Sequence, residues 1–204
     1  MSEIKLGQFI KSYWNYYIEL EDQLLATKKY VAFDDSNYKT FSVEYLKLLQ
    51  ATCSEIDVVG KIIAQYSDES FNRNKNKSMQ KWGLLVQTTF PEIENSTVLF
   101  LNDKGITPWK NWAYETYNDK DNRLRYRLKK GKNTPVWWTA YNKVKHERTS
   151  PYKEGKTNYS QANLENLILA MAALYIIEMK FIKLLFSGDI NTDSIKRSKI
   201  FSGL

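Results

Sequence analysis

Proton transfer at a phosphate ester needs a group that changes charge near neutral pH, and this chain holds one histidine, His146. Imidazole is the side chain best matched to that task. It lies in Pro135-Val136-Trp137-Trp138-Thr139-Ala140-Tyr141-Asn142-Lys143-Val144-Lys145-His146-Glu147-Arg148, which reads as a helix. At one hundred degrees per residue, Trp137, Tyr141 and Val144 share an inward face. Asn142 and His146, four residues apart, stack on an adjoining face near Trp138 and Lys145. An imidazole beside an amide and two or three cations suits proton transfer at a phosphate ester, with Arg148 at the helix end. The plainer reading of a lone histidine there is a helix-terminal group that caps carbonyls or bonds to an acid.

A second candidate is Glu55, on the flank of an apolar helical stripe among Leu48, Val59 and Ile62. A carboxylate in that position needs a partner, because an unpaired buried charge is costly. His146, Lys145 and Arg148 are the candidates, and a structural salt bridge is the alternative to catalysis. Cys53 falls in the middle of an apolar face and reads as a small core residue. One His and one Cys exclude a conventional zinc site within one chain. Gly-rich phosphate loops, G-x-S-x-G turns and paired-histidine metal motifs are missing, and no cofactor is implied.

The net charge of +7 is concentrated. Between Lys120 and Arg148 lie Lys120, Arg123, Arg125, Arg127, Lys129, Lys130, Lys132, Lys143, Lys145 and Arg148, opposed only by Asp121 and Glu147. The excess of eight sits next to His146, a pattern expected of a surface that attracts phosphates. A solvated basic loop is the alternative. The Trp137-Trp138 pair adds rings that can stack on bases, although helical spacing assigns at least one of them to the core.

These residues need a scaffold, and 204 residues with 43% hydrophobic composition give one sizeable core and a single domain over 1–204. The expected fold is mainly α: a bundle of about five helices, with a small hairpin or irregular insertion between the third and fourth. Apolar periodicity places helices at Gly7–Lys28, Phe41–Tyr66, Ser78–Thr88 and about 134–148. The last covers about Gln161–Phe186, with Ser160 as N-cap, Glu178 on its apolar face and Gly188 as its end. Asp34 to Asn37 is turn chemistry, and Ser67 to Lys77, which includes Asn74, Lys75 and Asn76, is a polar loop. Val98-Leu99-Phe100-Leu101 and Ile106 to Trp112 form the expected hairpin, with Pro108 limiting the second arm. Asn118 to Asn133 reads as a basic connection, closing an insertion over 96–133, and 188–204 reads as a tail. The longest apolar run, Leu167 to Ile177, is too short to span a bilayer. No secretory signal opens the chain, so a cytoplasmic protein without membrane contact is expected.

Ser54-Glu55-Ile56-Asp57-Val58-Val59-Gly60-Lys61 resembles the acidic-then-lysine helix of the HEPN superfamily, and Tyr141-Asn142-x-x-x-His146 resembles its site motif. The likeness covers roughly 40–66 and 134–186. The family pattern is an Arg, four to six residues, then a His, often with a polar residue after the Arg. Asn142 and His146 match; Tyr141 stands where the Arg would be. The resemblance implies a metal-independent endoribonuclease of the toxin or phage-defence type, working as a homodimer with two motifs facing each other. It further implies attack of a ribose 2′-OH on the adjacent phosphate, with His146 as base or acid and Arg148 or Lys145 in place of the missing Arg. Other members are catalytically silent, so a non-catalytic module that holds a protein partner is the alternative, and RNA binding without chemistry a third.

Overall fold

The computed structural model describes residues 4–73, 77–186 and 195–204. Six α-helical segments dominate: α1 Leu6–Phe9, α2 Asn15–Ala26, α3 Val43–Ser67, α4 Met79–Thr89, α5 Val136–His146 and α6 Leu164–Leu185. A π-helical turn, Ile10–Trp14, joins α1 to α2, making them one continuous helix of the bundle. The sequence explains the turn. Phe9 and Trp14 are both buried but stand five residues apart, a step that a regular α-helix cannot keep on one face. The wider turn absorbs one residue and carries the apolar stripe onward to Tyr17, Ile18 and Leu24. Tyr13, on this turn, lies within the electrostatic reach of Glu55 on α3.

The longest helices form the frame. Ser42 caps α3 by accepting the Tyr45 N–H at 3.1 Å. Of α6's 22 residues, 15 are buried, against 11 of α3's 25, so α6 is the central helix and α3 packs along it. Close approach of α4 to α3 depends on a missing side chain: a Cβ on Gly60 would stand 2.6 Å from the Trp82 ring. The approach of α4 to the segment after β2 has the same requirement at Gly83, where a Cβ would stand 2.6 Å from Trp112. Gly60→Ala is accordingly expected to cost about 1–3 kcal/mol of overpacking despite alanine's better helix propensity, read as a lower midpoint in urea.

The insertion between α4 and α5 holds two hairpins. β1 Val98–Phe100 pairs antiparallel with β2 Lys104–Ile106 and, on its other edge, with β5 Phe201–Ser202. Leu101 and Asn102, at φ 52° and 62°, turn the first hairpin in the mirror-type geometry that suits the strand twist. β2 ends at Ile106, and residues 107–112 turn inward rather than extending as the second arm; Trp109 and Trp112 are fully buried there. The second hairpin, β3 Tyr114–Asn118 with β4 Leu124–Leu128, occupies the stretch expected to be a basic connection. Gln87 of α4 anchors it, donating to the Trp112 carbonyl at 2.7 Å and accepting the Tyr114 N–H at 3.0 Å.

Two further expectations change. Asn163, not Ser160, caps α6 by accepting the Asn166 N–H at 3.0 Å. Ser160 lies in the preceding 3-10 turn and donates to the Thr157 carbonyl. The end of the chain is not a loose tail. Ile200 and Phe201 are buried, and the fully buried Glu21 carboxylate accepts the Lys199 N–H at 2.6 Å and the Tyr17 hydroxyl at 2.6 Å. Gly188, expected to end α6, and Asn74, Lys75 and Asn76 of the polar loop lie outside the described residues. No helix among the described residues is long and apolar enough to cross a membrane.

Candidate functional site

Helix α5 is held from one side. Trp137, Ala140, Tyr141 and Val144 are buried, as the helical period requires. The Trp137 indole donates to the Pro108 carbonyl at 2.9 Å and meets Trp109 edge-on, ring centroids 5.0 Å apart. This locks α5 to the insertion. Its C-terminal end is stitched to the following loop: Asn158 donates its side-chain amide to the Glu147 carbonyl at 2.9 Å, and the Tyr159 N–H donates to the Arg148 carbonyl at 3.0 Å.

What remains outward is the candidate site. His146, Lys145 and Arg148 are exposed, and Asn142 and Lys143 half-buried. Lys143, Lys145 and His146 occupy the last turn, where positive charge is favoured by the helix dipole. Lys145 rides over the Tyr141 ring at 5.3 Å, and Arg148 reaches back to the Val144 carbonyl at 3.4 Å. Among the described residues, none of Lys143, Lys145, His146 and Arg148 is in an ion pair, so no carboxylate neutralises the three cations.

The hairpin cations behave differently. Arg125 binds Asp119 at 2.8 Å, Arg127 binds Glu115 at 2.8 Å and Arg123 meets Asp121 at 3.3 Å. Lys132 binds Glu94 at 2.6 Å, whereas Lys129 and Lys130 are exposed. Three of the neutralising acids, Glu94, Glu115 and Asp119, precede Lys120 and so lie outside the basic 120–148 stretch. Such exposed pairs contribute little to stability, but they do lower the field the hairpin projects. Trp138 is half-buried and its ring meets Trp82, Trp137 and Tyr141, so only part of it faces outward.

Glu55 stands apart from this group. His146, Lys145 and Arg148 do not act on it; its electrostatic neighbours are Tyr13 on the π turn and Glu178 on α6. Burial pushes the Glu55 carboxyl up to about 7. Glu178 is fully buried, neither of its oxygens has a hydrogen-bond partner among the described residues, and burial followed by the Glu55 charge holds it well above the ordinary glutamate range. Burial likewise raises the Cys53 thiol, which keeps it protonated and unreactive. Among the described residues no group of three or more His, Cys, Asp and Glu side chains gathers to hold a metal ion.

Sequence reasoning did not find the cleft beside α5. Its volume is about 570 Å³, and Val136, Thr139 and Lys143 of α5 line one wall. These residues advance by three and four, and His146 is the next step of three on the same stripe. Lys39, the 152–156 loop and the first turn of α6 complete the lining. The helical stripe and the lysines at 153 and 156 were visible signals; the approach of Lys39 was not. Comparison with protein-family models, with curated proteins and with solved structures gives no match to this chain.

Proposed function

We propose that this domain binds RNA along the exposed stripe of α5 and cleaves it without a metal, with His146 moving the proton. The observation that carries the reading is the outward group of His146, Asn142, Lys143 and Lys145, unpaired with any carboxylate among the described residues, on a helix whose other face is fixed in the core. Cations not already neutralised are those that release counterions on meeting phosphates. In the reaction, neutral His146 accepts the proton of a ribose 2′-OH as that oxygen bonds to the adjacent phosphorus and the P–O5′ bond breaks. The departing O5′ needs a proton in turn, and the His146 of a second copy supplies it in a homodimer of the HEPN-like kind. Lys145, held over Tyr141, stands in for the family's arginine in stabilising the phosphate, and Asn142 orients the substrate.

Incubation with total RNA in a chelator tests this. Wild-type protein is expected to produce fragments ending in 2′,3′-cyclic phosphate, and His146→Ala to produce none. Equal cleavage by both proteins, or by neither, overturns the catalytic step. A specific feature favours a second reading, binding without cleavage: Tyr141, at the position of the family's arginine, is buried. Under that reading RNA stays intact, yet affinity falls as salt rises, and it falls more steeply for wild type than for Lys143→Ala/Lys145→Ala. Arg125→Ala, whose guanidinium is already paired with Asp119, is expected to change that slope less.

A further inference from the structure

The cleft beside α5 is lined by two chemically distinct sets of side chains. In one set, Lys143 of α5 and Lys153 and Lys156 of the following loop bring ammonium groups. Lys143 rests over the Tyr152 ring at 5.2 Å, Lys156 reaches Glu154 at 3.4 Å, and Lys153 has no ion pair among the described residues. The loop that carries them is a fixed turn. Glu154 and Gly155 are both left-handed, at φ 57° and 70°, and the Tyr152 N–H donates to the Lys156 carbonyl at 2.7 Å. A non-glycine residue in that conformation costs about 1 kcal/mol, which the fold retains at the rim of the cleft.

The other set is uncharged or neutralised. Lys39 is paired with Glu165, Gln161 offers its side-chain amide, and the buried Asn166 amide is already committed to the Gln161 carbonyl at 2.9 Å. The first turn of α6 opens here, but its backbone donors are already taken. Leu164 donates to Thr40, Glu165 to Tyr38 and Asn166 to the Asn163 side chain, at 3.0, 3.1 and 3.0 Å. An anion therefore finds its partners among these lysines and not at the helix terminus. The Gln161 amide suits a group that both donates and accepts hydrogen bonds. Val136, 64% exposed at the start of α5, adds an apolar surface.

A cleft of about 570 Å³ is far larger than an inorganic anion needs and lies in the range of small-molecule sites. We propose that it receives one nucleotide unit, the phosphate on Lys143 and Lys153, and the base and ribose against Val136 and the Gln161 amide. The unit has two sources, a free mononucleotide or one nucleotide of an RNA strand. His146 lies three residues beyond Lys143, about 4.5 Å further along the axis. A strand anchored in the cleft would run toward it. The strand source rests on the RNA reading above; the free-nucleotide source does not.

The test titrates the whole protein with AMP, adenosine and a 5′-phosphorylated four-nucleotide RNA at low salt, following backbone amide shifts by NMR. AMP is expected to shift amides of residues 136–143 and 152–166, and adenosine to bind at least tenfold more weakly. Lys143→Ala/Lys153→Ala is expected to lower AMP affinity at least tenfold, and Lys129→Ala/Lys130→Ala to leave it unchanged. Lys129, Lys130 and Lys153 are exposed and Lys143 is half-buried over Tyr152, so the Lys129→Ala/Lys130→Ala melting curve should coincide with that of wild type; if the cleft variant melts early, the adenosine comparison on wild-type protein decides. No shift at millimolar AMP, adenosine binding as well as AMP, or a cleft variant that binds like wild type would overturn the proposal. RNA that displaces AMP identifies the strand source; RNA that does not identifies the free nucleotide. Cleavage of RNA without any AMP binding removes the cleft and leaves the proposed function standing. AMP held in the cleft with RNA neither bound nor cut does the reverse.

Discussion

Trp137→Ala is expected to destabilise the protein by about 3–5 kcal/mol, the range for removing a large buried aromatic side chain. Trp137 is fully buried and is the point at which α5 meets the insertion. Its ring stands edge-on to Trp109 and to Trp138, centroids 5.0 and 5.8 Å apart. Truncation opens a cavity between them and also strips the buried Pro108 carbonyl of the 2.9 Å indole hydrogen bond. Trp138, its half-exposed neighbour, is the internal control: Trp138→Ala leaves no fully enclosed void and should cost less than half as much. Urea titrations of both variants measure the difference. A loss under about 1 kcal/mol for Trp137→Ala would mean that α5 is not anchored through this cluster. If it is, the same variant should also weaken the RNA binding proposed above, because Asn142, Lys143 and His146 would lose the rigid base that points them outward.

That anchoring was half legible in the sequence. The three- and four-residue recurrence of Trp137, Tyr141 and Val144 gave the inward face of α5, and therefore the outward position of His146. The partner surface was not legible. Trp109 and Trp112 follow a strand and a proline, which reads as a hairpin arm, yet two indoles next to a growing core are worth more buried than extended. The β3–β4 hairpin was hidden by its charge. Leu124, Tyr126 and Leu128 alternate with arginines, which is a strand pattern, but the positive run reads as a solvated loop until Glu115 and Asp119 are seen across the ladder. Caps are local, and Ser160 and Asn163 are both suitable; only the meeting of the α6 start with Tyr38 and Thr40 selects Asn163. The cleft needed three distant segments, and helical period revealed just one of its walls.

Glu55 shows the limit most clearly, and leads to the second large effect. Its place on the flank of an apolar stripe demanded a partner, and the cations of α5 were the reasonable choice. The fold instead sets it toward Tyr13 and Glu178, two groups that bring no positive charge. Glu178→Met is therefore expected to stabilise the protein by about 1–4 kcal/mol near neutral pH. Methionine fills a similar volume, needs no hydrogen bond, and removes a buried acid whose two oxygens lack partners among the described residues. The pH dependence supplies an independent arm. Both folded-state values lie above the ordinary 4.5, so the folded protein binds more protons than the unfolded chain once the pH exceeds that value. Stability is fully present below 4.5 and falls as the pH climbs through about 7, where Glu55 ionises. Because solvent reaches Glu55, its share of that fall is discounted to about 1–2 kcal/mol. Urea midpoints at pH 5 and pH 8.5 should differ clearly in wild type and less in Glu178→Met, since the variant loses one titrating acid and relieves the other of its neighbour. A wild type that is more stable at pH 8.5 than at pH 5, or a variant less stable at both, would mean that the two carboxylates are compensated by a group the folded core does hold.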